Sequence, residues 1–478
     1  MTTSANSVSV SSRHTIHSAN ESTWKALDSP FRLGAFDQVA GFVPIQVVWV
    51  YGQPIDSDVQ ILSAERLQHA LTLLLDYYPH LTGRLQVSNG IREIVRLGTG
   101  AELLLAQCSK RLDAFSSPLI QDLPDAGNAL LAPFDPTPEA VCRDPIFAVQ
   151  HTRFACGGVA LGVRVHHTVC DADGFFQLVR DLAELYRGLL SSGGAASLAH
   201  SPHIRPYMSE LVGGNMTPEE REAALGFSTA SFRTESTSSS PATVYLPPLS
   251  PVVGRFLRFS TPELADLKAK ATDPNGDGWV STFDALSAHI YQRVHRARLQ
   301  LYASDPTLGD LSPTDFLMPV NLRAPLGLPP RYFHNTLFTS SKIIPPDVLA
   351  GPLWKVAKAV HDIGRSSALT KDQVNASLKW VAAHSDPQKI MGTFQYGSGS
   401  FMISQWNKFD MYAGSIFDGP PVLVSPPFTQ SSLVDGLVYF LPTEELGTGG
   451  DAGAIDVSLS LSEPVWAFMD QVWSLARK

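Results

Sequence analysis

The segment His166-His167-Thr168-Val169-Cys170-Asp171-Ala172-Asp173-Gly174-Phe175-Phe176-Gln177 constrains this chain more than any other. An alternating apolar run, Gly158 to Val165, leads into it and reads as a buried strand. A helical stretch, Phe175 to Leu190, leads out of it. The fold must therefore place a histidine where a strand ends, with an aspartate four positions on. Such a place suits a general base, because a neutral imidazole can take a proton from an alcohol near pH 7. H-x-x-x-D alone is common at strand ends, so the pair needs support from elsewhere in the chain.

At 478 residues the chain exceeds one ordinary core, and two domains are expected. Charged residues are 17%, below the roughly 25% of an average globular protein, and hydrophobic ones are 44%. This balance fits a well-buried enzyme rather than a disordered chain. A net charge of −9 implies no basic surface for a phosphate backbone, so no nucleic-acid partner is expected. Cys108, Cys142, Cys156 and Cys170 form no C-x-x-C pair and fit a reducing compartment. Residues 1–20 lack the apolar core of a secretory signal. The most apolar stretch, Phe42 to Tyr51, is about half a membrane span and contains a proline, so it reads as a strand. A cytoplasmic monomer with no membrane partner is the expectation.

Residues 1–25 read as a loose tail. Ser63 to Tyr78 shows helical spacing stopped by Pro79. Ile146–Phe154 and Val159–Val165 form a hairpin around Gly157-Gly158. Breaker-rich composition at 191–202 and 228–251 marks a linker or crossover, placed at 211–251, between halves at 26–210 and 252–478. The second half carries strands at Arg255–Ser260, Asp315–Val320, Thr336–Ile344, Leu437–Leu441 and Ala454–Leu461, and helices at Pro262–Ala271 and Thr282–Gln300. Strict βαβ alternation is missing, so mixed sheets are expected in an α/β fold.

Five segments together resemble the BAHD-type acyl-CoA-dependent acyltransferases, which share the chloramphenicol-acetyltransferase-like fold. Leu33-Gly34-Ala35-Phe36-Asp37-Gln38 resembles the family's L-S-x-x-D, and Tyr78-Pro79-His80-Leu81-Thr82-Gly83-Arg84-Leu85 its Y-P-x-A-G-R-L. His167 to Asp171 is its H-x-x-x-D. Ser281-Thr282-Phe283-Asp284-Ala285-Leu286-Ser287-Ala288-His289-Ile290 is close to S-T-F-E-A-L-x-A-H-x. Val320-Asn321-Leu322-Arg323 followed by Tyr332-Phe333-His334-Asn335 resembles V-D-x-R and Y-F-G-N. Two departures stand out. Ala172 occupies the glycine position after the motif's aspartate, with Gly174 two residues later, and D-F-G-W-G is degraded to Ser415-Ile416-Phe417-Asp418-Gly419.

The resemblance implies two chloramphenicol-acetyltransferase-like domains with an active-site channel at their interface. It implies that His167 is the general base, and that Asp171 pairs with Arg323 to fix the loop. Ser404 falls where the family carries T-S-W and would donate to the oxyanion, while Trp406 shapes the acceptor pocket. His166 is expected to be packed or to line the channel. Acyl-CoA is the implied co-substrate, with a small-molecule acceptor and no bound cofactor or metal.

Other patterns are weighed against these. A zinc reading of His166, His167, Cys170 and Asp171 lacks the usual spacing. Asp273-Pro274-Asn275-Gly276-Asp277-Gly278 with Asp284 mimics an EF-hand loop, but Ser281 to Asp284 is also a capping box. Gly447-Thr448-Gly449-Gly450-Asp451-Ala452 precedes a strand, not a helix, so it reads as a hairpin loop and not a dinucleotide fingerprint. Arg293, His295, Arg296 and Arg298 read as a solvated helix face. Two alternatives remain open: a peptide-forming condensation domain of the same superfold, and a non-catalytic or calcium-regulated protein.

Overall fold

Period-two apolar runs assemble into two six-stranded mixed sheets, one centred on each half. The computed structural model describes residues 7–53, 60–112, 119–191, 195–234, 250–276, 278–443 and 451–476. In chain order the first half supplies β1 (Val8–Ile16), β2 (Phe31–Arg32), β3 (Pro44–Tyr51), β4 (Arg84–Ser88), β5 (Ile91–Val95), β6 (Ala101–Cys108), β7 (Phe147–Phe154) and β8 (Val159–His166). The second supplies β9 (Phe232–Thr234), β10 (Val252–Phe259), β11 (Asp315–Asn321), β12 (Leu337–Ile343), β13 (Ile390–Gly392), β14 (Phe401–Gln405), β15 (Leu423–Ser425), β16 (Leu437–Pro442) and β17 (Ile455–Ser462).

The first sheet runs β1-β6-β7-β8-β3-β15 and the second β10-β17-β16-β14-β11-β12. Each mixes parallel with antiparallel pairs, as expected for the fold class. β7 and β8 form the expected hairpin, fully buried except at Arg153. The helices Ala64–Tyr77 and Ala172–Ser191 pack together and close the first core. The helix Thr282–Ser304 packs on Leu353–Ile363 and on Glu463–Ala476 over the second. No helix among the described residues is long and apolar enough to cross a membrane.

The structure corrects three expectations. Residues 8–16 are not a loose tail: β1 forms the sheet's edge against β6, with a register shift between Val10 and Ser12. Alternating Ser, Arg, His and Thr there made an edge strand look like coil, because only one face is covered. The boundary at 252 does not separate the sheets either, since β15, from the second half, pairs antiparallel with β3. The basic run on the long helix is not uniformly solvated. His295 and Arg298 are buried, and Arg298 donates to Ser400 O (2.6 Å) and to Asp435 (2.8 Å). Its guanidinium fork, matched to a carbonyl and a carboxylate, is what makes burial tolerable. Within 211–251, Pro218–Leu225 is a helix with a Thr217/Glu220 capping box. The expected hairpin loop at 447–452 falls largely outside the described residues; Asp451 itself holds Thr261.

The degraded segment at 415–419 is a clasp between the halves. Asp418 accepts from Leu62 N (2.7 Å), Tyr186 Oη (2.7 Å) and Arg66 (2.9 Å), and Ser415 O accepts from Tyr51 Oη. Asp418→Ala should therefore lower Tm, with about 1–3 kcal/mol lost as its donors are stranded. Turnover measured well below Tm should hold.

Candidate active site

The strand β8 brings His166 and His167 to the end of the first sheet. Successive side chains on a strand face opposite ways, and the two imidazoles separate accordingly. His166 turns into the protein, edge-on to Phe42 (4.9 Å between ring centroids) and near Phe134. Burial, then the nearby Arg92 charge, pushes its pKa down to about 3. Of its two expected places, packed or lining the channel, it takes the packed one: it does not line the cavity between the halves and so has no place in the acceptor pocket. His167 does line that cavity.

The backbone of His167 is held on both sides. Its N–H donates to Val43 O (2.8 Å), and its carbonyl accepts from Asn335 Nδ2 (2.9 Å). Asn335 Nδ2 also reaches Thr168 O (3.2 Å) and Asp37 Oδ1 (2.8 Å). Asp37 lies in the loop resembling L-S-x-x-D, where it accepts from Gly34 N (2.9 Å). Burial raises the Asp37 carboxyl to about 7, against hydrogen bonds from Asn335 and Gly34 that lower it. The His334 ring bridges Val169 O (2.8 Å) and Ile204 O (2.9 Å). Sequence reasoning missed Asn335 and His334 as supports. Both lie in the quoted Tyr332–Asn335 segment, but their partners are backbone atoms that no residue type encodes.

Asp171 faces away from His167. Arg323 grips it through two bonds, 2.8 and 2.9 Å. Thr336 N (3.0 Å) and Gly174 N (3.2 Å) complete the set. Burial alone would raise this carboxyl, but the Arg323 charge and these bonds outweigh it, and its pKa lies below the ordinary value. His167 Nδ1 is buried without a hydrogen-bond partner among the described residues, so no carboxylate orients the ring as in a Ser-His-Asp triad. Gly174 sits where the halves touch: a Cβ there would stand 2.0 Å from Phe333 O. Cys170 is fully buried, and burial followed by the Asp171 charge drives its thiol well above the ordinary range.

Across the cavity, β14 presents Ser404. Trp406 Nε1 donates to Ser404 Oγ (3.0 Å), which leaves the serine's own proton free to donate. Trp406 packs on Phe176 and Tyr439. The cavity, about 290 Å³, draws His167, Phe36 and Val43 from the first half and Leu317, Met402, Ser404 and Trp406 from the second. A more open groove of about 810 Å³ shares Pro319 with the cavity's lining, and Lys268, Arg365 and Lys408 border that groove. Asp284 is spent on the cap of its helix (Ser281 N to Oδ2, 2.8 Å) and on His361 (3.1 Å). Asp277, also part of the calcium reading, lies outside the described residues.

A buried ion pair and a carbonyl-held loop thus stand beside a cavity lined by both His167 and Ser404. The Transferase family's sequence signature matches residues 6–472. The chain belongs to this family, the BAHD-type acyl-CoA-dependent acyltransferases. It is 26% identical to rosmarinate synthase of Plectranthus scutellarioides over 85% of this chain and 86% of that one. It is 27% identical to putrescine hydroxycinnamoyltransferase 1 of Oryza sativa subsp. japonica over 82% and 84%. In fold it is similar to F. graminearum TRI101 complexed with coenzyme A and deoxynivalenol, with a TM-score of 0.67, 20% identity, and coverage of 93% of this chain and 96% of that one.

Removing the Asp171 charge should be costly. Asp171→Asn leaves Arg323 buried with only its longer ion pair to Asp173 (3.7 Å), a loss of up to about 3–5 kcal/mol, read in urea unfolding. Because its folded pKa is depressed, Asp171 stabilises above the unfolded value of about 3.9 and its contribution fades as pH falls below that. Asp37 has the opposite sign. Its folded pKa is raised to about 7, so its contribution is complete below the unfolded value and is lost as pH climbs to 7. Asp37→Asn should flatten the fall in stability between pH 5 and 7, and an unchanged slope would contradict this assignment.

Proposed function

We propose that the protein transfers an acyl group from a CoA thioester to a hydroxyl of a small-molecule acceptor, with His167 as general base. The observation that supports it is one cavity lined by both His167 and Ser404, whose hydroxyl accepts from Trp406 Nε1 and so keeps its own proton to donate. Nδ1 is buried against protein, which leaves Nε2 to the cavity. Nε2 takes the acceptor's hydroxyl proton as its oxygen attacks the thioester carbonyl. The Ser404 hydroxyl donates to the oxyanion that forms, where a preorganised donor is worth most. Collapse breaks the C–S bond, and the departing thiolate takes the proton from His167. Asp171 and Arg323 position the loop and move no proton.

The open groove suits the donor. Its cations Lys268, Arg365 and Lys408 fit phosphates. Relatives include enzymes named for amine acceptors, such as putrescine. Oxygen is favoured here because the described cavity wall carries no carboxylate to seat an ammonium group. No covalent acyl-enzyme is invoked, since the Cys170 thiol is buried and held protonated.

A screen of acetyl-, malonyl-, benzoyl- and hydroxycinnamoyl-CoA against pooled alcohols and amines, read as free thiol, tests the reading. His167→Ala should lower turnover roughly 10²–10⁴-fold, and Ser404→Ala roughly 10²–10³-fold. His166→Ala should stay folded and retain activity. Loss of turnover in His166→Ala but not in His167→Ala would sink the assignment. Initial-rate lines varying both substrates should intersect, and parallel lines would indicate an acyl-enzyme.

A further inference from the structure

The floor of the cavity is one face of the second sheet, and its register shows what lies opposite Ser404. Ser404 on β14 pairs with Tyr439 on β16, and Tyr439 pairs with Ser458 on β17. Two residues along, Met402, Leu437 and Ser460 form the neighbouring row on the same face. All six line the cavity. Ser458 is 3% exposed. Its hydroxyl therefore faces the cavity from two strands away, roughly 10 Å from Ser404 at about 4.8 Å per strand. The rest of the described wall is apolar or uncharged, and among its described residues there is no Asp, Glu, Lys or Arg.

Resting on the acyl-transfer reading above, we infer that the acceptor is an uncharged, largely apolar molecule with a second neutral oxygen remote from the hydroxyl acylated, and that Ser458, two strands from Ser404, reads that oxygen. A carboxylate or ammonium brought to that end of the cavity would lose its water and gain no counter-ion. A neutral hydroxyl or carbonyl would gain a bond from a serine already buried beside it. An apolar skeleton between the two ends would lie over the Tyr439 ring, with Met402 and Leu437 beside it. Ser458 is thus a specificity residue, distant from the atoms that react.

The test uses one rigid skeleton with four ends. A para-linked bicyclohexyl diol holds its two oxygens at opposite ends. Its companions are the mono-alcohol lacking the far hydroxyl, the analogue with a carboxylate there, and the analogue with an ammonium there. Each is assayed with acetyl-CoA and with benzoyl-CoA, reading thiol release by the full-length wild-type enzyme and by Ser458→Ala. The diol should exceed both charged analogues in kcat/KM by at least about a hundredfold. Its KM should be about tenfold below that of the mono-alcohol, and in Ser458→Ala that advantage should vanish. A carboxylate or ammonium analogue turned over as well as the diol overturns the inference and leaves the acyl-transfer reading standing. So does a diol advantage that survives in Ser458→Ala. Failure of all four ends, while another alcohol of the screen is acylated through His167, overturns the inference alone; no thiol release with any acceptor overturns both.

Discussion

Everything near the cavity depends on the contact between Asp171 and Arg323. A carboxylate with no exposed surface costs several kcal/mol to bury, and a single opposing charge does not automatically offset that. Here the carboxylate is saturated: two guanidinium donors, Thr336 N and Gly174 N all point at it. Arg323 in turn donates to Tyr332 O, His334 O and Thr336 Oγ1. The pair is therefore less a strut than a hub, fixing the motif loop of one half to the Tyr332–Thr336 segment of the other. A buried pair of this kind is weak evidence for stability and better evidence for a specified geometry, and the geometry specified is the position of the His167 backbone.

Glycine placement follows from the same contact. The halves approach most closely where Phe333 O meets Gly174, and only a residue without Cβ fits there. Ala172, at the position where the family carries glycine, instead starts the helix Ala172–Ser191 and faces the cavity. The departure in sequence thus leaves the interface glycine in place. The degraded segment is similar. Phe417 packs on Tyr51 and Tyr186, and Asp418 ties three donors of the first half, so the segment's interdomain role survives the changes around it.

Much of this was legible in the sequence, and the remainder was hidden for physical reasons. The β7–β8 hairpin and the helices at 64 and 282 could be read because periodicity and caps are local signals, whereas the Asp171–Arg323 contact, 152 residues apart, was expected only from the family resemblance. β1 was missed because an edge strand carries no two-faced apolar pattern. Arg298 was misread because the groups that satisfy it, Ser400 O and Asp435, are 102 and 137 residues away in sequence. The sequence left His166 between packed and channel-lining because the choice turns on a single-residue question, the phase of a strand at its last position. The row Ser404–Tyr439–Ser458 was invisible because it is a property of register, and register across β14, β16 and β17 is set by tertiary packing.

That register gives the cavity a division of labour. The first half contributes the loop whose backbone is pinned by Val43, Asn335 and, through Val169, His334. The second contributes a sheet face, the most rigid surface a fold of this kind offers. The His167 loop, held by carbonyl contacts, keeps its place only while the halves stay docked, and docking draws on Asp171, Gly174 and Asp418 and also on Asn335 in the cavity wall. Of the cavity-lining residues on that sheet face, Met402, Leu437 and Ser458 stand apart from the ion pair, whereas Ser460 Oγ donates to Ser432 O, so the shape of the cavity and the stability of the fold are separable at the first three to the extent that the sheet's own core, on its opposite face, is left intact.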